Sequence, residues 1–427
     1  MRLTDYEKRM LDGVEGKLKQ KAMEIIVQYG KVLGAEELCE VTKAHLFCGS
    51  HHYLNVVSSE DMEVVLSEML FCSKEKISLT KMACYCQSDV GPMDPVCWSK
   101  MGITKLEYEK NMQYLQYFLA SGVNLVGSCV PYLLGFIPLM GEHYVTSESH
   151  AVLMINSLWG ACGNADGIEA GFCSAVCGRT PLWGNHIMSN RKGTHIFDVR
   201  CKTETVTDWD LLGYTVGKMT PSHAIPVITG NFRRPDITKL KSSFAAMATT
   251  SGAEMCHIVG ITPEAITLEQ ALGWKDPLDV IQLTDYDLED SLNSLNVNEN
   301  EPVDYISLGC PHYSIEEIRY VAEFLESKRV SRNVILHIWT AAPIKETANR
   351  CGYITKIEEA GGIVLTSSCP LTSEKIPEGV RAIAFDSTKQ AHYIIPQTLA
   401  NVHYGSMEDC LKSAVSGRWE GKSRCQR

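Results

Sequence analysis

The chain has 427 residues, 45% hydrophobic and 21% charged, an ordinary globular composition. Domain sizes then predict roughly two to four compact units, each large enough for its own core. A formal net charge of −11 argues against a nucleic-acid binder, which carries a basic footprint, but leaves room for a local basic pocket. The polar opening MRLTDYEKRMLDG lacks the apolar core of a signal peptide. The longest apolar stretch, Pro131 to Gly141, is too short to span a bilayer and holds two prolines. A soluble, cytoplasmic protein without membrane or nucleic-acid partners is expected.

In chain order, Thr4 to Gly34 reads as one helix, with Thr4 as cap and Glu7 three residues on. Ser59 to Phe71 is helix-like, Lys76 to Cys84 strand-like, Thr104 to Ala120 helix-like and Val123 to Ser128 strand-like. That alternation is the grammar of α/β layers with parallel strands. Ala224 to Thr229 and Glu254 to Gly260 read as further strands. The acidic, Asn-rich stretch Leu283 to Pro302 is the candidate linker or exposed loop. Beyond it come strand Val303 to Leu308, helix Ser314 to Lys328, strand Val334 to Trp339, helix Lys345 to Ala360 and strands Ile363 to Ser367 and Arg381 to Phe385. These alternations form the clearest doubly wound unit. The expected division is 1–150, 151–295 and 296–427. There is no internal repeat and no low-complexity tract.

The chain has 17 cysteines, an odd number scattered along its length. Disulfides are disfavoured in a reducing cytosol, so most thiols are expected to pack as small apolar groups. No CxxC pair exists, and the CxC at Cys84 and Cys86 and the CxxxC at Cys173 and Cys177 are weak signals best read as packing. A different pattern recurs at Cys129 in VNLVGSCVPY, Cys310 in VDYISLGCPH and Cys369 in GGIVLTSSCPL. Each follows an apolar run after one or two small residues, with proline next or one position later. Ligands of open α/β sheets bind beyond the carboxyl ends of strands, so these thiols either converge on one site or are three unrelated buried cysteines. Convergence suits an iron–sulfur cluster: three thiolates leave one iron open as a Lewis acid, which assists the departure of hydroxide.

At these loops the chain resembles the aconitase X family. The likeness includes LTDYEKRMLDGVEGKLKQKAMEIIVQYGKVLGAEEL near the start, Ala44–His45, SCVPYLLGFIP, SESHAVLMINSLWGA, GRTPLWGNH, TTSGAEMCHIVGITPEA, GCPH and SSCPL, in order along almost the whole chain. It implies an aconitase-like α/β fold of three α/β/α units with mainly parallel sheets around a central cleft. It further implies a cluster of variable nuclearity on Cys129, Cys310 and Cys369, and a missing fourth, swivelling domain carried on a separate small subunit or fused. That small partner is expected to bring a catalytic serine as base. Family activities include dehydration of mevalonate 5-phosphate and of cis-3-hydroxy-L-proline. Two departures stand out: CYCQSDVGPMD replaces a usual Thr-Thr-Leu-Asn run, and GACGNAD from Gly160 to Asp166 keeps Asn164 but not the two arginines of Gly-Ala-Arg-Thr-Asn-Arg. Arginine is the preferred bidentate partner of carboxylate and phosphate, so the substrate is open.

The remaining candidates each carry a bland reading beside the functional one. Glu148 and Ser149 are either a helix cap or catalytic groups near the cluster. Asn164 is a loop-bracing amide or a substrate contact. Arg179 and His186, on an irregular Gly- and Pro-marked loop, are surface residues or an anion site. Ser251 is packing or a substrate contact, and His257 a core histidine. His45 is favoured for the cleft and catalysis, and His312, beside Cys310, for substrate binding or tuning the cluster. The expected function is a hydro-lyase acting on a small hydroxy acid. The alternatives are a non-catalytic binding or scaffold subunit of the same fold and, more remotely, a zinc hydrolase using His45, His51 and His52 beside Cys48.

Overall fold

The protein was analysed as a computed structural model, which describes residues 1–49, 59, 61–296, 301–373 and 375–421. Its strands, in chain order, are β1 (Leu38–Glu40), β2 (Lys43–Leu46), β3 (Tyr85–Ser88), β4 (Val123–Asn124), β5 (Tyr144–Thr146), β6 (Arg179–Pro181), β7 (His195–Val199) and β8 (Pro226–Gly230). They continue with β9 (His257–Ile258), β10 (Asp279–Leu283), β11 (Tyr305–Tyr313), β12 (Ile335–Thr340), β13 (Gly362–Thr366), β14 (Ala382–Phe385) and β15 (Asn401–Tyr404). Three parallel sheets result, ordered β4-β3-β2-β5, β10-β7-β8-β9 and β13-β12-β11-β14-β15. A small antiparallel ribbon joins β1 to β6. Parallel strands require crossovers, and the connecting helices supply them. Among the described residues no helix is long and apolar enough to cross a membrane.

One hydrophobic core runs through the junction of the three sheets. Val130 and Tyr132 after the first sheet pack with Phe197, Trp209 and Phe244 of the second and with Tyr305 and Phe385 of the third. Burying each such side chain contributes roughly 1.5–3 kcal/mol, so the loops it anchors are held firmly. Helices Val206–Met219 and Ile237–Ser251 meet closely because Gly213 lacks a side chain: a Cβ there would lie 1.9 Å from the Ser243 carbonyl oxygen.

The strand–helix grammar holds through the third unit, with four local differences across the chain. The expected helix Thr4 to Gly34 is two, Asp5–Leu11 and Lys17–Val32, because Gly13 and Gly16 adopt φ of +78° and +97°. The expected strand Lys76 to Cys84 lies later, at β3. Met82 and Ala83 instead spend their amides on the carbonyls of Ser121 and Ala175. Of the expected linker Leu283 to Pro302, Asp285–Ser294 is a helix, capped by the Thr284–Asp287 capping box and burying Leu288 and Leu292, while residues 297–300 lie outside the described residues. Helix Lys345 to Ala360 is divided into Ala342–Arg350 and Tyr353–Glu359 by Gly352, at φ +77°. The boundary placed at residue 150 also falls short. Helix Ile168–Cys177 packs back on Lys17–Val32 and on β2, while Ser149–Met154 lies against Ile237–Ser251.

Candidate active site

In a parallel sheet all strands end at the same edge, and the loops beyond the carboxyl ends of the first and third sheets face one another. Asp89 follows β3, Gly127 to Cys129 follow β4, Glu148 follows β5, Ser367 to Cys369 follow β13 and Lys389 follows β14. Cys310 lies within β11, where the ladder with β12 shifts between Leu308 and Tyr313. The loops touch directly. A Cβ at Gly127 would lie 2.7 Å from the Ser367 Cβ, and the Gly91 amide donates to the Ser367 carbonyl at 2.7 Å. Asp94 closes the same seam by accepting from the Thr366 amide at 2.7 Å and its hydroxyl at 3.0 Å. Gly309 brings the chain to Cys310 with φ +98°, and a Cβ there would lie 2.2 Å from the Trp339 carbonyl oxygen, so only glycine fits.

Cys129 and Cys369 are buried and Cys310 is partly exposed. Burial, foremost, pushes all three thiols above their ordinary range. Cys310 is an electrostatic neighbour of both others: its charge would raise Cys129, and that of Cys369 would raise Cys310. Cys310 is thus an electrostatic neighbour of two cysteines far from it in sequence.

Two histidines knit the loops that carry them. The His312 Nε2 lies 2.9 Å from the Ser368 carbonyl and Nδ1 lies 3.1 Å from the Ser128 hydroxyl. Burial lowers His312 to about 4, so the ring is neutral. The carbonyl can only accept, so Nε2 donates to it and Nδ1 accepts from Ser128. The His312 amide also donates to the Cys129 Sγ at 3.5 Å. His45, likewise lowered to about 4 by burial, donates from Nε2 to the Ser128 carbonyl at 2.9 Å and accepts at Nδ1 from Thr146 at 3.1 Å. Both rings thus hold Ser128, the neighbour of Cys129, with both nitrogens of His45 engaged. His45 is therefore not free to ligate zinc; His51 and His52 lie outside the described residues.

Glu148 is the charged centre of the site. It caps helix Ser149–Met154, lies 3.5 Å from the His150 Nδ1 and accepts from the Lys389 Nζ at 2.8 Å. Against the cost of burial, Lys389 and His150 hold Glu148 well below the usual carboxylate range. Lys389 is correspondingly raised: burial opposes its charge, but Glu148 and Cys310 outweigh it. Asp89 behaves oppositely, since burial and then the Glu148 charge push its carboxyl well up. Two neighbouring carboxyls are therefore held in opposite protonation states. Ser149 is half-buried beside Glu148 at the helix start.

A cavity of about 660 Å³ reaches Cys310 between the second and third units. On its wall, Lys241 donates to the carbonyls of Pro311 at 3.3 Å and His312 at 3.0 Å and pairs with Glu317 at 2.6 Å. The Tyr313 hydroxyl donates to Asp386, whose carboxyl burial raises to about 6.

Four expected substrate contacts are engaged elsewhere. Asn164 accepts from the Asn185 amide at 2.8 Å and donates to the Trp183 carbonyl at 3.3 Å, so it braces that loop. Arg179 is paired with Glu7 at 3.1 Å and donates to the Gly178 carbonyl. Ser251 donates to the Met247 carbonyl at 2.7 Å, ending its helix. His186 stands with His143 and Cys39, a group apart from the cysteine loops. Cys173 and Cys177 pack within the first core, and every cysteine among the described residues is a free thiol. Sequence reasoning missed Lys389 and Asp89; their one legible signal is a position just beyond a strand, in FDSTKQ and CYCQSDVG.

The chain matches the aconitase X first domain over residues 1–189, the second over 193–293 and the third over 303–416. It belongs to the aconitase X family, with the corresponding fold of three domains built on mainly parallel sheets. It is similar to the phosphomevalonate dehydratase large subunit of Methanocaldococcus jannaschii, at 31% identity over 96% of this chain and 100% of the relative. The large subunit from Methanothermobacter thermautotrophicus is 32% identical over 91% of this chain and 92% of its own length. The cis-3-hydroxy-L-proline dehydratase of Hypocrea jecorina is 30% identical over 98% of this chain but only 70% of its own length. The crystal structure of Thermococcus kodakaraensis aconitase X in its holo-form superposes with a TM-score of 0.82 at 29% identity, covering 97% of this chain and 100% of that one.

Proposed function

We propose that this chain is the large, catalytic part of an iron–sulfur hydro-lyase that eliminates water from a small hydroxy acid. The observation that carries the reading is the contact of the three cysteine-bearing loops, joined where His312, two residues after Cys310, donates from its amide to the Cys129 Sγ and from its ring to the Ser368 carbonyl, together with the buried Glu148–Lys389 pair. That donor set fits a cluster: the thiols are soft ligands, the nest is largely closed to water, and Lys389 offsets the negative charge of thiolates. Cys129, Cys310 and Cys369 would hold the cluster, and when bound it would supply Lewis acidity toward a departing hydroxide.

The chain's own residues do the positioning. His45 and His312 fix Ser128 and Ser368, and so the directions of Cys129 and Cys369. Lys241 holds the backbone just after Cys310. Glu148, held ionised by Lys389 and His150 and therefore a weak base, fixes the charge of the site, and Asp89, whose carboxyl burial pushes well up, is suited to donating a hydrogen bond. The proton taken from substrate carbon is assigned to a serine of a small, swivelling partner subunit, as the family resemblance implies; the names of the large-subunit relatives support only that a small partner exists. Substrates of the mevalonate 5-phosphate or cis-3-hydroxy-L-proline kind follow from the relatives' names.

The test is anaerobic purification with the small subunit, analysis for iron and acid-labile sulfide, and assay of water elimination on both substrates and related hydroxy acids. Iron with sulfide, lost in C310S, and turnover of one substrate are expected. A colourless, iron-free protein refutes the cluster, whereas iron without turnover across the panel favours the scaffold reading.

A further inference from the structure

A second cluster of metal-binding side chains lies at the other end of β5. Glu148 follows that strand, whereas His143 immediately precedes it. Cys39 comes from the centre of β1, held against Thr180 of β6, and His186 from the short turn Gly184–His186. One ligand atom from each of Cys39, His143 and His186 lies within 4.8 Å of the other two. The Nδ1 atoms of the two histidines face each other at 3.1 Å.

We propose that Cys39, His143 and His186 bind a divalent cation of the zinc class at a site separate from the cysteine loops. Tetrahedral coordination with Zn–N of about 2.0–2.1 Å and Zn–S of about 2.3 Å places two nitrogens about 3.3 Å apart and a nitrogen and sulfur about 3.6 Å apart. The observed imidazole spacing is within a few tenths of an ångström of that figure. Two Nδ1 atoms turned toward each other need either a shared proton or a cation between them, and a nearby thiol sulfur favours the cation. The surroundings supply soft donors, and the Arg191 guanidinium, an electrostatic neighbour of both histidines, is itself paired with Glu264 at 2.6 Å. Cys162, whose backbone is bridged to His143, brings its sulfur to 3.7 Å from that of Met188. The Asp166 carboxylate, buried with no hydrogen-bond partner for either oxygen among the described residues, is an electrostatic neighbour of Cys39. Burial and then Glu254 push the Asp166 carboxyl well up in the metal-free protein, so a bound dication is balanced by the Cys39 thiolate and by Asp166 on loss of its proton to solvent. His186 is buried while Cys39 and His143 are partly exposed, so the ion has a path of entry. Binding releases the Cys39 proton to solvent as the sulfur–metal bond forms. The fourth position falls to water or to the Cys162 thiol.

The full chain is titrated with cobalt(II), then with zinc against a chromophoric chelator, alongside C39S, H143Q, H186Q, C162S and C310S. Expected are one cobalt equivalent with a thiolate charge-transfer absorption that persists in C310S and disappears in C39S, and at least tenfold weaker zinc binding in H143Q and H186Q. A weakened C162S assigns the fourth ligand to that thiol; an unchanged one assigns it to water. Either supports the site. Thermal melts of the metal-free variants check that each is folded. Cobalt absorption that survives in C39S, zinc affinity unchanged in folded H143Q and H186Q, or a wild type with no equivalent beyond those lost in C310S overturns the proposal.

Discussion

Replacing Lys389 by methionine removes the ammonium that faces Glu148 across 2.8 Å while keeping most of the side-chain volume. Both side chains are largely buried, with 11% and 15% of their surface exposed, so water replaces little of the lost interaction. At an effective dielectric of ~20, charges 2.8 Å apart attract by about 6 kcal/mol before desolvation is charged against them. Breaking a buried pair by removing one partner typically costs about 3–5 kcal/mol, because the other charge is stranded. K389M is therefore expected to lose about that much stability, and E148Q, which strands the equally buried Lys389 ammonium, a similar amount. The double variant should recover much of the loss, giving a coupling of at least about 2 kcal/mol in a double-mutant cycle of urea unfolding midpoints on apoprotein. Additive single effects, with coupling below about 0.5 kcal/mol, would show that the two groups do not act as a pair and would refute the electrostatic account of the site.

Gly309→Ala places a Cβ 2.2 Å from the Trp339 carbonyl oxygen at a φ of +98°, and should lower iron content severalfold in protein that still melts cooperatively. Full iron occupancy in G309A would contradict the close approach at Cys310. His312→Leu abolishes both ring hydrogen bonds and strands the buried Ser128 hydroxyl, a loss of roughly 2–4 kcal/mol read by denaturant unfolding; a neutral effect would remove its bracing role. Asp210 is raised to about 7 by burial, against the partial relief of its Thr388 and Tyr404 hydrogen bonds. A carboxyl whose folded pKa exceeds its unfolded value stabilises below the unfolded value and loses that contribution as pH rises through the folded one. Wild type should thus fall in stability relative to D210N between about pH 4 and pH 7, by on the order of 4 kcal/mol, and parallel pH profiles would contradict the shift.

The legible and illegible parts of the site divide along the range of the interactions involved. Cys129, Cys310 and Cys369 were visible because an apolar run, a small residue, a cysteine and a proline are consecutive in sequence and mark a strand end. Their neighbours Lys389 and Asp89 had no such local mark. Arg179 looked like an anion contact because of its irregular loop and Asn164 like a substrate contact because it lies in a family motif, yet Glu7 and the Trp183–Asn185 backbone engage them. His45 and His312 were expected in the cleft for catalysis and substrate binding; their bracing hydrogen bonds depend on the carbonyls of Ser128 and Ser368, which no local pattern announces.

Helix caps, strand runs and the alternation of the two are local free-energy preferences, so residue order alone settled the α/β class and most elements of the third unit. The convergence of residues 129, 310 and 369, the charge state of Glu148 and the gathering of Cys39, His143 and His186 were decided only by the packing of three parallel sheets on a shared core. Distance and burial set those properties, and both arise between segments that are tens to hundreds of residues apart in the chain.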